Sequence, residues 1–155
     1  MNYELTDETI KHNGLTLYRI RALVDMPMHG VTAGDLGGFV EKIENVMENA
    51  WVADNAWVSG NALVHGNAKI AGNALILGNA WIFDNAIVYG NAWVFENARV
   101  FDDAQISGNA RISGSATVCD DARVYGNARV YGDAQISGDA HVSGDVRIGE
   151  DEVYN

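Results

Sequence analysis

The chain has 155 residues, 48% of them hydrophobic, and a formal net charge of −11. That is one domain with room for a small cap, and so acidic a chain speaks against nucleic acid or an anionic membrane as a partner, since backbone-phosphate binding needs Lys and Arg to displace counterions. No run approaches the roughly 18 apolar residues of a membrane span, the polar, acidic start from Met1 to Asp7 has no secretory pattern, and a lone Cys119 excludes an internal disulfide and suits a reducing cytoplasm.

The first element in chain order is a hairpin. Thr9-Ile10-Lys11-His12 and the run from Leu15 to Leu23 flank Asn13-Gly14, and Asn-Gly between two strand-like runs is a strong hairpin signal. Gly34, Gly37 and Gly38 then form a loop that leads into Phe39-Val40. Residues 1–49 are expected to be a hairpin cap and its connection, plugging the N-terminal end of a solenoid built from residues 50–155. A solenoid end exposes unpaired backbone and core, and it needs such a cover.

Residues 50–155 are a repeat with a period of six. Ala recurs from Ala50 and Ala56 through Ala134 and Ala140, and Val or Ile follows two places later, from Val52 to Ile148. Ala-x-Val has the two-residue period of a strand, so both side chains point to one side. The pairs that come next, such as Gly60-Asn61 and Gly126-Asn127, are turn formers. A Gly in most hexads and a period of six both exclude a helix. Identical bends, three per circuit, predict an all-β, single-stranded, triangular parallel β-helix of about six coils, on the order of 28 Å long at the spacing of paired strands. Ala and Val/Ile fill its interior.

The inward small residue two before an inward aliphatic, repeated from Ala50 to Gly149, resembles the hexapeptide-repeat family of left-handed parallel β-helices. The segment from Leu17 to Leu23 and Ala33-Gly34-Asp35-Leu36-Gly37-Gly38-Phe39-Val40-Glu41 is similar to the start of a bacterial and phage group in that family. Its members are commonly labelled acetyltransferases from their fold. The resemblance implies a left-handed coil, a trimer, and either an acyltransferase site between subunits or, by the family's occurrence in phages, action on a host macromolecule.

The residues themselves offer little catalysis. His12 lies by the hairpin turn and His29 in the Met26–Gly30 connection, while His65 and His141 take outward places inside unbroken hexads. General-base chemistry needs a pocket that orients a substrate and excludes water, and no loop insertion interrupts the repeat to build one. Cys119 points outward beside Asp120 and Asp121, a setting that disfavours the thiolate. No catalytic residues, no cofactor and no nucleotide-binding motif are expected.

Stacking residues eighteen apart is more informative. One outward row reads Trp57, Leu75, Trp93, Arg111, Arg129, Arg147, with Ser59, Leu77, Phe95, Ser113 and Tyr131 beside it. A second begins Trp51, Lys69, Ile87, and a third Leu63, Trp81, Arg99, with His65, Phe83, Phe101 and Cys119 alongside. Trp57, Leu75, Leu77, Trp81, Phe83, Ile87, Trp93 and Phe95 form an outward apolar belt, and such patches mark interfaces. A homo-oligomer, with a trimer favoured, is the expected use; the alternative is that residues 1–49 fold over the belt. At the corners, Asp102, Asp103, Asp120 and Asp121 are weak Ca²⁺ candidates or a surface for a basic protein, and turn geometry alone also explains them. The expectation is a non-enzymatic, oligomeric β-solenoid scaffold or binding protein in the cytoplasm. A hexapeptide-repeat acyltransferase is the alternative.

Overall fold

The structure, a computed structural model, describes residues 1–155. Three strands open the chain: β1 (Tyr3–His12), β2 (Leu15–Ala22) and β3 (Leu36–Val40). Eighteen two-residue strands come after them, from Trp51–Val52 to Val153–Tyr154, one per hexad. They pair in parallel with a shift of eighteen residues, as in Trp93 opposite Arg111 and Arg111 opposite Arg129. The result is a β-solenoid of six coils with three faces. Face 1 carries the strands at Trp57, Leu75, Trp93, Arg111, Arg129 and Arg147. Face 2 carries those at Leu63, Trp81, Arg99, Thr117, Gln135 and Val153. Face 3 carries those at Trp51, Lys69, Ile87, Gln105, Arg123 and His141.

The core is the hexad pattern made solid. The Ala that opens each hexad from Ala50 to Ala140, and the Val or Ile two places after it from Val52 to Val142, are buried in one continuous cluster. Each corner bends through one residue in the left-handed region: Gly60 at φ 70°, Gly108 at 63°, but also Asp54, Asp84, Glu96, Asp102 and Asp120 at 56–60°. The left-handed region is costly for most side chains, and Asp and Asn enter it most readily. Here the acids also have a partner. The Gly72 amide donates to Asp54 Oδ2 at 2.9 Å, the Gly138 amide to Asp120 Oδ2 at 2.8 Å, and the Asp120 amide to Asp102 Oδ2 at 3.2 Å. A corner carboxylate thus satisfies a backbone amide of the next coil. The residues after these bends form amide ladders, with Asn73 donating to Asn91 Oδ1 at 3.2 Å, Asn91 to Asn109 at 3.3 Å and Asn109 to Asn127 at 3.1 Å.

The N-terminal segment extends face 1 as well as capping the end. β3 pairs in parallel with the first strand of face 1, β2 pairs antiparallel with β3, and β1 lies outermost. Tyr3, Ile20, Ala22, Met26, Val31, Val40 and Val46 close the end of the core. Gly37 and Gly38 permit the close approach of this segment to the first coil, because a Cβ on Gly38 would lie 2.5 Å from the Ala56 carbonyl oxygen and one on Gly37 2.7 Å from the Trp51 ring. Trp51, placed in an outward row by the repeat, is consequently only 2% exposed. The cap covers it.

Candidate functional site

Face 1 holds a concave surface. The hairpin turn lies over its first coils, and the His12 ring meets the Trp57 ring edge-on at 4.9 Å. Between the turn and the coils runs a groove of about 500 Å³, floored by Trp57, Leu75, Leu77 and Trp93 and walled by Leu15 and Leu17. His12, Asn13, Glu41 and Ser59 are its polar contributors. Residues 1–49 therefore cover the belt in part: Trp51 is enclosed and Trp57 half-covered, while Trp93 stays 36% and Trp81 42% exposed. Leu75, Leu77, Phe83 and Phe95 are half-buried by their neighbours along the axis. On face 2 and at the corner after it, His65, Phe83 and Phe101 stack with ring centroids 5.2 and 4.8 Å apart. The Arg99 and Arg111 guanidinium groups sit over the Trp81 and Trp93 rings at 5.3 and 4.7 Å.

The four histidines occupy four different settings. His29 is buried, and its Nε2–H donates to the Asn49 carbonyl oxygen at 2.6 Å. Burial holds its pKa below the ordinary imidazole value. His65 is stacked on Phe83, 4.0 Å from a Glu48 oxygen. His141 is exposed and lies edge-on to Tyr125, and His12 shares its ring nitrogen with the Asn13 side chain at 3.1 Å. Only His12 adjoins the apolar groove.

Of the Ca²⁺ candidates, the corner brings Asp102 and Asp120 together with Cys119, ligand atoms within 4.8 Å of one another, and leaves Asp103 and Asp121 outside that group. Calcium takes six to eight oxygens, and two carboxylates plus a thiol do not fit it. Asp102 and Asp120 each commit one oxygen to a backbone amide. The Cys119 thiol is pushed up in pKa by burial first and then by the Asp120 and Asp102 carboxylates, so it is a poor nucleophile.

Two charged rows lie on opposite sides of the triangle. Arg111, Arg129 and Arg147 form an exposed stripe along face 1, in register from coil to coil. Shallow grooves of about 400 and 300 Å³ flank it, one lined by the Asn91–Asn109–Asn127 ladder and one by Phe95, Ser113 and Tyr131. The corner opposite, between faces 2 and 3, carries Asp84, Asp102, Asp103, Asp120, Asp121 and Asp139. The hairpin's part in the groove, the acid-to-amide contacts and this opposition of charge escape a row-by-row reading. The recurrence of Asn and Asp at eighteen-residue intervals is the signal that leads to the ladders.

Comparison with known proteins agrees on architecture. Residues 80–96, 104–120, 122–134 and 134–150 match the model of the YdcK beta solenoid repeat family. These stretches, together less than half of the chain, are similar to that repeat and lie wholly in the coils described above. No curated protein matches the chain. No helix is long and apolar enough to cross a membrane.

Proposed function

We propose that this protein is a non-enzymatic β-solenoid scaffold that self-associates through its outward apolar surface, as a trimer, and presents its remaining faces to other macromolecules. The observation that carries the reading is the groove of face 1, floored by Trp57, Leu75, Leu77 and Trp93, a contiguous apolar surface that the cap covers only in part. Soluble monomers seldom leave such a patch in water, and burying each large apolar side chain contributes roughly 1.5–3 kcal/mol. A few such side chains per copy offset the cost of association, about 4–15 kcal/mol. Light scattering tests it. Wild type is expected to be oligomeric at micromolar concentration, and Trp93→Glu with Phe95→Lys to be a folded monomer. A monomeric wild type refutes the reading. The acyltransferase alternative has one observation in its favour, an imidazole, His12, at the wall of the groove. Acetyl-CoA turnover that His12→Ala abolishes would establish it instead.

A further inference from the structure

Lys and Arg together number 10 in a chain of net charge −11, and three of them stand in one row. Arg111, Arg129 and Arg147 are exposed on face 1, each directly opposite the next in the parallel ladder. Like charges so placed destabilise a sheet, and nothing in the chain compensates them. Arg19 and Arg21 pair with Glu8 and Glu4, whereas no carboxylate lies within 4.0 Å of the three stacked guanidinium groups. The shallow grooves on either side of the row are lined by no carboxylate.

The flanks of the row are polar on one side and aromatic on the other. On the first runs the amide ladder, in which Asn91 donates to Asn109 at 3.3 Å and Asn109 to Asn127 at 3.1 Å. A carboxamide has two N–H donors, so each of these keeps one for a ligand. The ladder ends on Asp145, which accepts from Asn127 at 3.1 Å and lines neither groove. On the other side stand Phe95, Ser113 and Tyr131. The Tyr131 ring is 40% exposed and lies over Gly149, where a Cβ would overlap it. The Arg111 guanidinium rests on the Trp93 ring at 4.7 Å. Arg19 is the one arginine that hydrogen-bonds an acceptor of the chain, so the N–H donors of the row are all free.

We propose that this stripe binds a linear acidic polysaccharide, one with a carboxylate on each sugar, laid along the solenoid axis. Guanidinium groups match carboxylates with two parallel N–H donors. The free amide donors match sugar hydroxyls, and Tyr131 and Phe95 cover the C–H faces of the rings. Spacing favours this ligand over an acidic peptide. The guanidinium groups recur at the strand spacing, about 4.8 Å, whereas side chains on one face of an extended peptide recur at about 6.6 Å. A pyranose advances an extended chain by close to one coil step, so carboxylates on one side of that chain fall at one step or two. The acidic rows lie at the far corner, and salt screens exposed charges separated by more than about 8–10 Å. The site rests on the surface-presenting part of the function proposed above and not on the oligomer.

Titration calorimetry with oligogalacturonate tests it. Wild type is expected to bind, less tightly as salt is raised, and to bind the methyl-esterified form of the same oligomer at least about tenfold more weakly. That comparison removes the ligand's charge without any substitution in the protein. Arg129→Gln is expected to weaken binding roughly tenfold, and Arg111→Gln, Arg129→Gln and Arg147→Gln together roughly 100-fold or more. Arg123→Gln, exposed on face 3, is expected to leave binding unchanged. Circular dichroism and light scattering compare the fold and assembly of each variant with wild type. No binding by wild type, equal binding of the ester, or undiminished binding by the triple variant overturns the proposal. Polyglutamate bound as tightly as oligogalacturonate also overturns it, and assigns the stripe to an acidic protein. A monomeric wild type that binds the oligomer and discriminates against its ester supports the site and refutes self-association alone.

Discussion

Replacing Gly108 by Ala and by Asp separates two explanations of the corner acids. Gly108 bends its corner at φ 63°, and a Cβ there would lie 2.9 Å from the Gly126 amide nitrogen and 3.0 Å from the Gly126 carbonyl oxygen. Ala incurs the left-handed penalty, about 1–2 kcal/mol, and must also push the next coil aside. A total near 2–3 kcal/mol is expected for Gly108→Ala, within the usual range for backbone strain at a special φ/ψ. Asp adds the same Cβ, yet it supplies what Asp54 supplies in the same corner row, an oxygen 2.9 Å from the amide of the next coil. A hydrogen bond to a charged group contributes about 1.5–3 kcal/mol, and at this exposed corner the low end applies. Gly108→Asp should therefore lie within about 1 kcal/mol of wild type on the same accounting. Urea unfolding followed by circular dichroism, compared at equal slope, reads the difference. If Gly108→Ala proves as stable as Gly108→Asp, the carboxylate contributes nothing, and the acids occupy these corners only because the bend tolerates them.

The core and the cap each supply a further test. Val94 is fully buried between its coil neighbours Ile76 and Ile112, so Val94→Asp leaves an unpaired charge in the core at a cost of several kcal/mol; loss of the β-sheet signal is expected, and a soluble, folded variant would refute the inward assignment. His29 is held neutral in the fold, with its pKa lowered chiefly by burial, while in the unfolded chain it takes up a proton near pH 6.5. The stability this provides is present above that pH and is lost as the pH falls through the lower folded value. The urea midpoint should therefore drop between pH 7 and pH 5, and His29→Gln should flatten that drop; an unchanged pH profile would show that the imidazole titrates freely.

The coils were legible in the sequence because their determinants are local. An inward pair at Ala-x-Val, a bend at Gly or Asp, and a constant six-residue step leave only one stacking, and so the residues that share a face can be found by counting. Face 1 and its order from Trp57 to Arg147 were recoverable in that way. The contribution of residues 1–49 was not. Asn13-Gly14 announces the hairpin, but β2 and β3 join face 1 through contacts that obey no period, so Trp51 reads as outward by phase and is enclosed in fact. Tertiary structure also decided the use of the corner acids. A carboxylate at Asp54 or Asp120 meets an amide eighteen residues on, and only the closed coil brings that amide within reach. The opposition of the arginine stripe to the acidic corner has the same origin: one is a mid-face row and the other an edge row, and three faces closing on one core put them on opposite sides of the molecule.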